Sequence, residues 1–219
     1  QGWFPRLLNG SKTEVREIHA ERNPLFPRMR RPEPIEENLQ DLFAEVRASG
    51  AQLGLATDGD ADRIGLVNEK GEFVNQLEVY ALLAYYLLEV RGLRGPLVRT
   101  ISSTAMANKL ASRYGVSVYE TAVGFKYVAP EMLRVKAILG GEESGGFAFA
   151  GHIPERDGIL AGLYLFDLCV RENKTPSQMI EHIYSLVGAH YYDRVDRRMP
   201  PEKRSEVLER LRAARPTLL

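Results

Sequence analysis

Apolar and polar residues alternate along this chain in blocks that predict a mixed α/β architecture. From position 97 to 139, short apolar runs alternate with segments whose apolar residues recur at helical spacing. These segments predict strands at 97–101, 116–120 and 137–139 and helices at 104–114 and 127–135. Strands and helices in this order are typical of an open sheet flanked by helices. We therefore expect an α/β fold with mixed open sheets.

Segments on both sides of this block extend the pattern. Residues 35–46 have apolar side chains at helical spacing before Gly50, which predicts an amphipathic helix with a glycine stop. The prolines and arginines of 22–34 predict a loop. Residues 77–90 are almost wholly apolar and predict a helix buried on most sides. Another long apolar helix is expected after Asp157, which would cap it.

Residue types at predicted helix ends indicate where the α/β unit ends. Gly115 stands where a helix C-cap is expected. The segment 175–178, Thr-Pro-Ser-Gln, offers an N-cap, a proline at the first helical position and a capping-box partner. The helix that it starts would close an α/β unit near Gly188. Residues 189–199 then predict a strand, and 201–212 a basic helix.

The last strand and helix are too small to bury a core, so we expect them to begin a further domain. The chain also starts without methionine and ends abruptly, which suggests a fragment truncated at both ends. We expect three parts: the end of an α/β domain containing an acidic loop (1–75), a second α/β domain (76–188) and the start of a C-terminal domain (189–219).

Composition limits the partners and the location. Lysine plus arginine (29) balances aspartate plus glutamate (29), so no net charge favours nucleic acid or an anionic membrane as a partner. No apolar run approaches the roughly 20 residues that span a bilayer, and the N-terminus lacks a signal-peptide pattern. Cys169 is the only cysteine and is expected to be a small buried hydrophobe in a reducing compartment. We expect a cytoplasmic protein.

An acidic loop, TDGDADR at 57–63, lies between two short apolar runs that predict strands. Side chains two apart in an extended loop project to the same side, so Asp58, Asp60 and Asp62 would converge. Two carboxylates about 4 Å apart repel each other by roughly 4 kcal/mol at an effective dielectric near 20. A hard divalent cation with oxygen ligands would reverse that cost. Arg63 follows and offers a fork suited to phosphate oxygens.

Three other interpretations of the acidic loop stay open. A solvated acidic turn is the simplest. Its carboxylates and Glu69 also occupy positions 1, 3, 5 and 12 of a calcium EF-hand loop, which would make the chain a metal-binding module. However, Arg63 stands where that loop needs glycine, and predicted strands replace its helices. A metal-dependent sugar phosphatase of the haloacid-dehalogenase type is the third, although its aspartate motif would continue to glycine and threonine.

A glycine-rich loop, GGEESGG at 140–146, follows an apolar run. Its glycines would let a ligand approach the backbone closely. Glu142 and Ser144 are two apart and would face the same way, with Glu143 turned aside. A carboxylate and a hydroxyl can accept from and donate to vicinal sugar hydroxyls. An acidic hairpin turn would look similar.

A third motif, TAVGFK at 121–126, lies between a predicted strand and a predicted helix. Gly124 and the helix start could present backbone N–H groups to an anion, with Lys126 as a point charge. A lysine on a solvated helix turn is the alternative. His152 could contact a substrate, although it is more often a loop histidine. Residues 156–158, Arg-Asp-Gly, are explained adequately by helix capping.

Together and in this order, the three motifs resemble those of the phosphoglucomutase and phosphomannomutase family, the phosphohexomutases. The resemblance implies that Asp58, Asp60 and Asp62 bind Mg²⁺, which also contacts a phosphoserine. It implies roles at that phosphoryl group or the substrate for the remaining motif residues: Arg63 (neutralising the phosphoryl group), Lys126 (phosphate contact or proton transfer), and Glu142 and Ser144 (sugar hydroxyls).

In the mechanism that the resemblance implies, a phosphoserine interconverts hexose 1-phosphate and hexose 6-phosphate through a bisphosphate intermediate. The family's serine loop and its fourth-domain phosphate loop have no counterpart in this sequence. Ser102 and Ser103 lie at a comparable strand-to-helix turn but are better explained by helix capping. We therefore expect this chain to be inactive without the missing N- and C-terminal domains. Gly146, where several dual-specificity relatives carry histidine, together with the lysine motif favours glucose over mannose.

Overall fold

The computed structural model describes residues 2–27, 29–192 and 199–214. The described strands are β1 (Gly54–Thr57), β2 (Ile64–Val67), β3 (Phe73–Val74), β4 (Leu97–Thr100), β5 (Val118–Thr121), β6 (Leu139–Gly141) and β7 (Phe147–Phe149). The described α-helices are α1 (Trp3–Leu7), α2 (Gln40–Ser49), α3 (Gln76–Tyr85), α4 (Met106–Tyr114), α5 (Phe125–Val135), α6 (Gly158–Glu172), α7 (Pro176–Val187) and α8 (Arg204–Ala213).

A first, antiparallel sheet contains β1, β2 and β3 in that order. Helix α2 covers it through a small core in which Phe43 and Val46 meet Val67 of β2. Gly50 ends α2 in a left-handed conformation (φ 68°), as the sequence predicts. Strands β1 and β2 form a hairpin whose last pair is Thr57 opposite Ile64. The acidic loop is therefore the tip of this hairpin.

A second sheet has the strand order β5-β4-β6-β7. Strands β5, β4 and β6 are parallel, and β7 is antiparallel to β6. Successive side chains point to opposite faces: Leu97 belongs to a large core with α3, α6 and α7, and Val98 to a smaller core under α5. Helices thus cover both faces of a mixed sheet, which confirms the predicted fold class.

The two sheets share one core. Ile64 and Leu66 of β2 pack in the same buried cluster as Leu97 and Leu139 of the second sheet. Helix α6 lies between them and contacts β1, β2 and β7. Cys169 on α6 packs against this cluster, and burial raises the pKa of its thiol to about 12. This shared packing brings the two loop-bearing hairpins together.

The predicted elements are present with shifted ends. Helix α2 begins at Gln40 after a short 3₁₀ turn (Glu36–Asn38), and α3 continues into a π-helical turn (Tyr86–Val90). Helix α5 begins at Phe125, earlier than predicted, and contains Pro130. The loop predicted at 22–34 has no helix or strand among its described residues.

The C-terminal predictions have a mixed outcome. Helix α8, preceded by a 3₁₀ turn (Pro201–Lys203), confirms the helix predicted at 201–212. Of the strand predicted at 189–199, residues 193–198 lie outside the described residues, and 189–192 have no regular secondary structure. That described part does not pair with either sheet, so the strand prediction is wrong there. The division into three domains stays a prediction.

Among the described residues, no helix is both long and apolar enough to cross a membrane.

Candidate functional site

The acidic loop brings three carboxylates together, as its spacing predicts. Asp58, Asp60 and Asp62 each place one carboxylate oxygen within 4.8 Å of the others. The N–H of Arg63 donates to Oδ1 of Asp58 (3.1 Å), which folds the loop back on its first aspartate. Three hard oxygen donors at this separation fit a small divalent cation.

Packing against α6 fixes the shape of the loop. Ala61 has a φ of 60°, which turns its carbonyl toward the start of α6. That carbonyl accepts a hydrogen bond from the N–H of Gly158 (2.9 Å). A Cβ at Gly158 would overlap the carbonyl of Arg63, so only glycine allows this close approach.

Burial and the neighbouring carboxylates change the pKa of Asp58 in the acidic loop. Burial raises the pKa of Asp58 to about 6, and the hydrogen bond with Asp62 and the charges of Asp62 and Asp60 add to this effect. The N–H of Arg63 opposes it. Without a cation, the carboxylates thus favour holding a proton, which a divalent cation would displace.

The surroundings of the loop disfavour the EF-hand interpretation. Strands β1 and β2 flank the loop in place of helices. Glu69, which would be the twelfth-position ligand, instead accepts hydrogen bonds from the hydroxyl and the N–H of Ser177 at the start of α7. It is therefore engaged away from the three aspartates.

The glycine-rich loop is the tight turn of the β6–β7 hairpin and contacts the acidic loop. The N–H of Glu142 donates to the carbonyl of Gly146 (3.0 Å), which closes the turn. The N–H of Ile64 donates to the carbonyl of Gly145 (3.0 Å), and Arg63 pairs with Gly146 in an antiparallel bridge. The backbones of the two loops are thus hydrogen-bonded to each other.

A cavity of about 500 Å³ opens beside this junction. Its polar lining combines three cationic side chains, two carboxylates and a hydroxyl: Arg63, Lys126, Arg156, Glu142, Glu155 and Ser144. Phe125 provides an aromatic wall. A concave site with a few convergent charged groups is suited to a small anionic ligand that also carries hydroxyls.

Glu142 and Ser144 face this cavity, whereas Glu143 accepts a hydrogen bond from the hydroxyl of Tyr192 (2.7 Å) and turns away from it, as predicted. Burial raises the pKa of Glu142, while the charges of Arg156 and Arg63 and the N–H of Gly124 oppose the shift. The hydroxyl of Ser144 is buried and has no hydrogen-bond partner among the described residues. Such an orphaned polar atom is readily satisfied by a ligand hydroxyl.

Arg156 is the principal residue that sequence reasoning missed. Its Nη2 lies 2.6 Å from Oδ2 of Asp62, and its Nη1 lies 3.6 Å from Oε2 of Glu142. Its guanidinium also lies over the ring of Phe125, 5.3 Å from the centroid. In the sequence, its position beside the α6 cap suggested only a structural role. Its contact with Asp62 depends on folding and has no local pattern.

His152 and the two serines at positions 102 and 103 are placed differently from expectation. His152 does not line the cavity, and its Nε2 lies 3.0 Å from Oδ2 of Asp157. Asp157 caps α6 by accepting from the N–H of Leu160 (2.8 Å), as predicted. At the start of α4, Thr104 rather than Ser102 or Ser103 accepts from a helix N–H, that of Met106 (3.1 Å). The capping role predicted for the two serines is therefore wrong.

The fold of this chain is similar to those of several solved structures. A crystal structure described as a phosphomannomutase from Thermus thermophilus matches with a TM-score of 0.72 and 38% identity, over 78% of this chain and 39% of that chain. A phosphoglucomutase/phosphomannomutase family protein from Burkholderia thailandensis matches with a TM-score of 0.63 and 27% identity, over 69% of this chain and 33% of that chain.

Sequence comparisons agree. A phosphoglucomutase/phosphomannomutase of Thermococcus kodakarensis is 35% identical over 82% of this chain and 39% of its own length. A phosphoglucosamine mutase of Carboxydothermus hydrogenoformans is 39% identical over 65% of this chain and 32% of its own length. The chain thus spans well under half of these relatives.

Two sequence profiles match most of the chain. Residues 1–71 match the profile of phosphoglucomutase/phosphomannomutase alpha/beta/alpha domain II, and residues 75–187 match that of domain III. The second match alone covers more than half of the chain. The chain therefore belongs to the phosphoglucomutase/phosphomannomutase family.

Proposed function

We propose that this chain provides the metal-binding and sugar-binding parts of a hexose phosphate mutase, which interconverts hexose 1-phosphate and hexose 6-phosphate. One observation carries the proposal: the acidic loop and the glycine-rich loop meet beside one cavity that is lined by cations, carboxylates and an orphaned hydroxyl. The related mutases support the reaction class, and the names of those relatives cover glucose, mannose and glucosamine phosphates.

The acidic loop is the proposed Mg²⁺ site. Asp58, Asp60 and Asp62 would hold the ion, because their oxygens converge and because burial, together with the neighbouring carboxylates, raises the pKa of Asp58. The bound ion would neutralise charge on a phosphoryl group during transfer.

The cavity residues would hold the hexose phosphate. Arg63 and Lys126 offer charge-assisted hydrogen bonds to phosphate oxygens. Glu142 and Ser144 would bind sugar hydroxyls as acceptor and donor. Burial raises the pKa of Glu142, and the charges of Arg156 and Arg63 oppose that shift, which supports its role as an acceptor.

The phosphoserine and the bisphosphate intermediate belong to the same proposal. The serine would attack or release a phosphoryl group in line beside the metal ion. We place that serine and the distal phosphate loop in further domains of a longer protein, because this sequence contains neither motif.

The metal assignment is tested by titration calorimetry with Mn²⁺ and Mg²⁺. Asp60→Asn removes one ligand and should weaken binding at least about tenfold, or about 1.4 kcal/mol. Asp41→Asn makes the same charge change on α2 and should bind like the wild type. Equal heats for wild type and Asp60→Asn would contradict the metal site, and tight Ca²⁺ binding with little Mg²⁺ response would favour a calcium-binding module.

The sugar assignment uses glucose 6-phosphate as the probe. Glu142→Gln should weaken its binding by on the order of 1.5–3 kcal/mol, because a charge-assisted hydrogen bond is lost. Far-UV circular dichroism should confirm that folding is unchanged. Unaltered binding would remove the glycine-rich loop from the sugar site.

A further inference from the structure

Arg156 is the one described cationic side chain that forms ion pairs with both loops of the site. It precedes α6, and its guanidinium contacts Asp62 of the acidic loop and Glu142 of the glycine-rich loop. Glu155 is a third carboxylate neighbour, with Oε1 3.4 Å from Nε of Arg156. The contact with Asp62 is the shortest of the three, so this carboxylate is the nearest partner of the guanidinium.

This contact competes with a metal ion. Oδ2 of Asp62, at 2.6 Å from the guanidinium, belongs to the same group of converging carboxylates that a cation would need. A divalent ion on Asp58, Asp60 and Asp62 would draw the Asp62 carboxylate inward and repel the fixed positive charge of Arg156. The guanidinium would lose its partner on the acidic loop.

Glu142 offers the guanidinium a second partner, because Nη1 of Arg156 already lies 3.6 Å from its Oε2. The stem of Arg156 fills the space beside Gly146, where a Cβ would overlap Cδ of Arg156. The ring of Phe125 supports the other end. With the stem held in this slot, we expect that a change in the terminal torsions would lengthen the contact with Asp62, shorten the contact with Glu142 and direct a donor pair into the cavity.

We propose that Arg156 couples cation binding to anion binding at this site. In the metal-free chain it neutralises Asp62, and a divalent cation on the acidic loop releases it toward Glu142 and the cavity, where it binds a phosphate group. This inference rests on the proposed metal site. Because coupling is reciprocal, a phosphate ligand that holds Arg156 in the cavity also strengthens cation binding.

The test measures coupling by calorimetry, with Mn²⁺ and glucose 6-phosphate as probes. In the wild type, saturating Mn²⁺ should tighten glucose 6-phosphate binding about tenfold, within the usual range of coupling between sites. In Arg156→Gln, Mn²⁺ alone should bind several-fold more tightly, because its competitor is gone, and the coupling should fall to about twofold or less. Arg134→Gln removes the same charge from an exposed ion pair on α5 and should keep the wild-type values.

The outcomes separate this inference from the proposed function. If the wild type binds no Mn²⁺, the proposed metal site is contradicted and the coupling falls with it. If the wild type binds both probes and Arg156→Gln keeps the same coupling and Mn²⁺ affinity, only the role of Arg156 is overturned.

A measurement on the wild type covers the case in which Arg156→Gln does not fold. The Nε–H resonance of Arg156, observed by NMR, should shift on addition of Mg²⁺, since its carboxylate partner changes. The Arg134 resonance serves as the internal control and should stay in place. Saturation with Mg²⁺ that leaves the Arg156 resonance unmoved would overturn the proposal.

Discussion

Ala61 shows how much the acidic loop depends on individual backbone conformations. Its φ of 60° lies in the left-handed region, which costs a non-glycine residue roughly 1–2 kcal/mol. The conformation turns the Ala61 carbonyl to the N–H of Gly158 and lets the flanking aspartates converge. The contact with α6 therefore offsets the local strain at Ala61, and the loop keeps a compact carboxylate cluster.

Replacing Ala61 with glycine should relieve this strain. We expect Ala61→Gly to raise the free energy of unfolding by about 0.5–1 kcal/mol, as measured by urea denaturation. Ala56→Gly, in β1, is the matched control and should lower it by about 0.5–1 kcal/mol, because extended backbone gains nothing from glycine. A loss of stability in both variants would show that the Ala61 conformation is not strained.

The raised pKa of Asp58 predicts that cation binding depends on pH. The folded chain holds a proton on Asp58 up to about pH 6, whereas an unfolded chain releases it near the ordinary aspartate pKa of 3.8. Asp58 therefore lowers the stability of the metal-free chain as pH rises through this window. A cation must displace the proton, so Mn²⁺ affinity should fall by up to about tenfold per pH unit below about 6.

Mn²⁺ titrations in steps between about pH 7 and pH 5 measure this dependence. Constant affinity over that range would contradict the raised pKa.

Local capping interactions set most helix ends, whereas tertiary contacts with the acidic loop set the start of α6. Asn75 and Glu78 form a capping box at α3, and Gly115 ends α4 with a φ of 67°. Helix α6 differs because its first residue, Gly158, packs directly against the acidic loop. The first residue of α6 therefore both begins the helix and holds the acidic loop in place.

Gly158→Ala should separate α6 from the acidic loop. The added methyl group would overlap the carbonyl of Arg63, so we expect a loss of about 1–3 kcal/mol in stability and weaker Mn²⁺ binding. Gly162→Ala, one turn later, meets the ring of Phe4 and the terminal Cδ1 of Ile64, which are side-chain atoms that can shift, and no backbone atom among its nearest neighbours. Its loss should be smaller, and its Mn²⁺ affinity unchanged. Equal effects in the two variants, measured by thermal unfolding and calorimetry, would argue against close packing at Gly158.

The molecule combines two hairpin tips on sheets that share a core. Neither sheet alone would form the site: the first carries the aspartates and Arg63, and the second carries Glu142 and Ser144. Ser144 lines the cavity, and neither it nor Ser102 or Ser103 lies in the serine motif that the resemblance implies for phosphoryl transfer. Under the proposed function, the assembled site would supply binding groups, and the nucleophilic serine would lie in a further domain of a longer protein.

Because this chain lacks a serine in the expected motif, we predict that it takes up no phosphoryl group from glucose 1,6-bisphosphate. Phosphoryl transfer needs an acceptor placed in line beside the metal ion. Incubation with labelled bisphosphate, followed by intact mass and peptide mapping, should show an unchanged mass. A stoichiometric phosphoryl group on Ser102, Ser103 or Ser144 would identify a nucleophile in this chain. A serine-containing, full-length relative provides the positive control.

The sequence was sufficient for features with short-range causes. Alternation and helical spacing predicted the elements, and spacing of two residues predicted that Asp58, Asp60 and Asp62 converge and that Glu142 and Ser144 share a face. The shared face of Glu142 and Ser144 follows from local backbone geometry, whereas the convergence of the aspartates also needs the left-handed conformation of Ala61 and its contact with α6. The cap at Asp157 likewise has a local origin.

Contacts between residues far apart in sequence could be identified only from the tertiary structure. The pairing of Arg156 with Asp62, the bridge between Arg63 and Gly146, and the placement of His152 outside the cavity leave no local pattern. They arise because the packing of β2, β6 and α6 around one core fixes which loops meet. The residue types therefore specify the chemistry of each loop, whereas the shared core specifies which charges face one another.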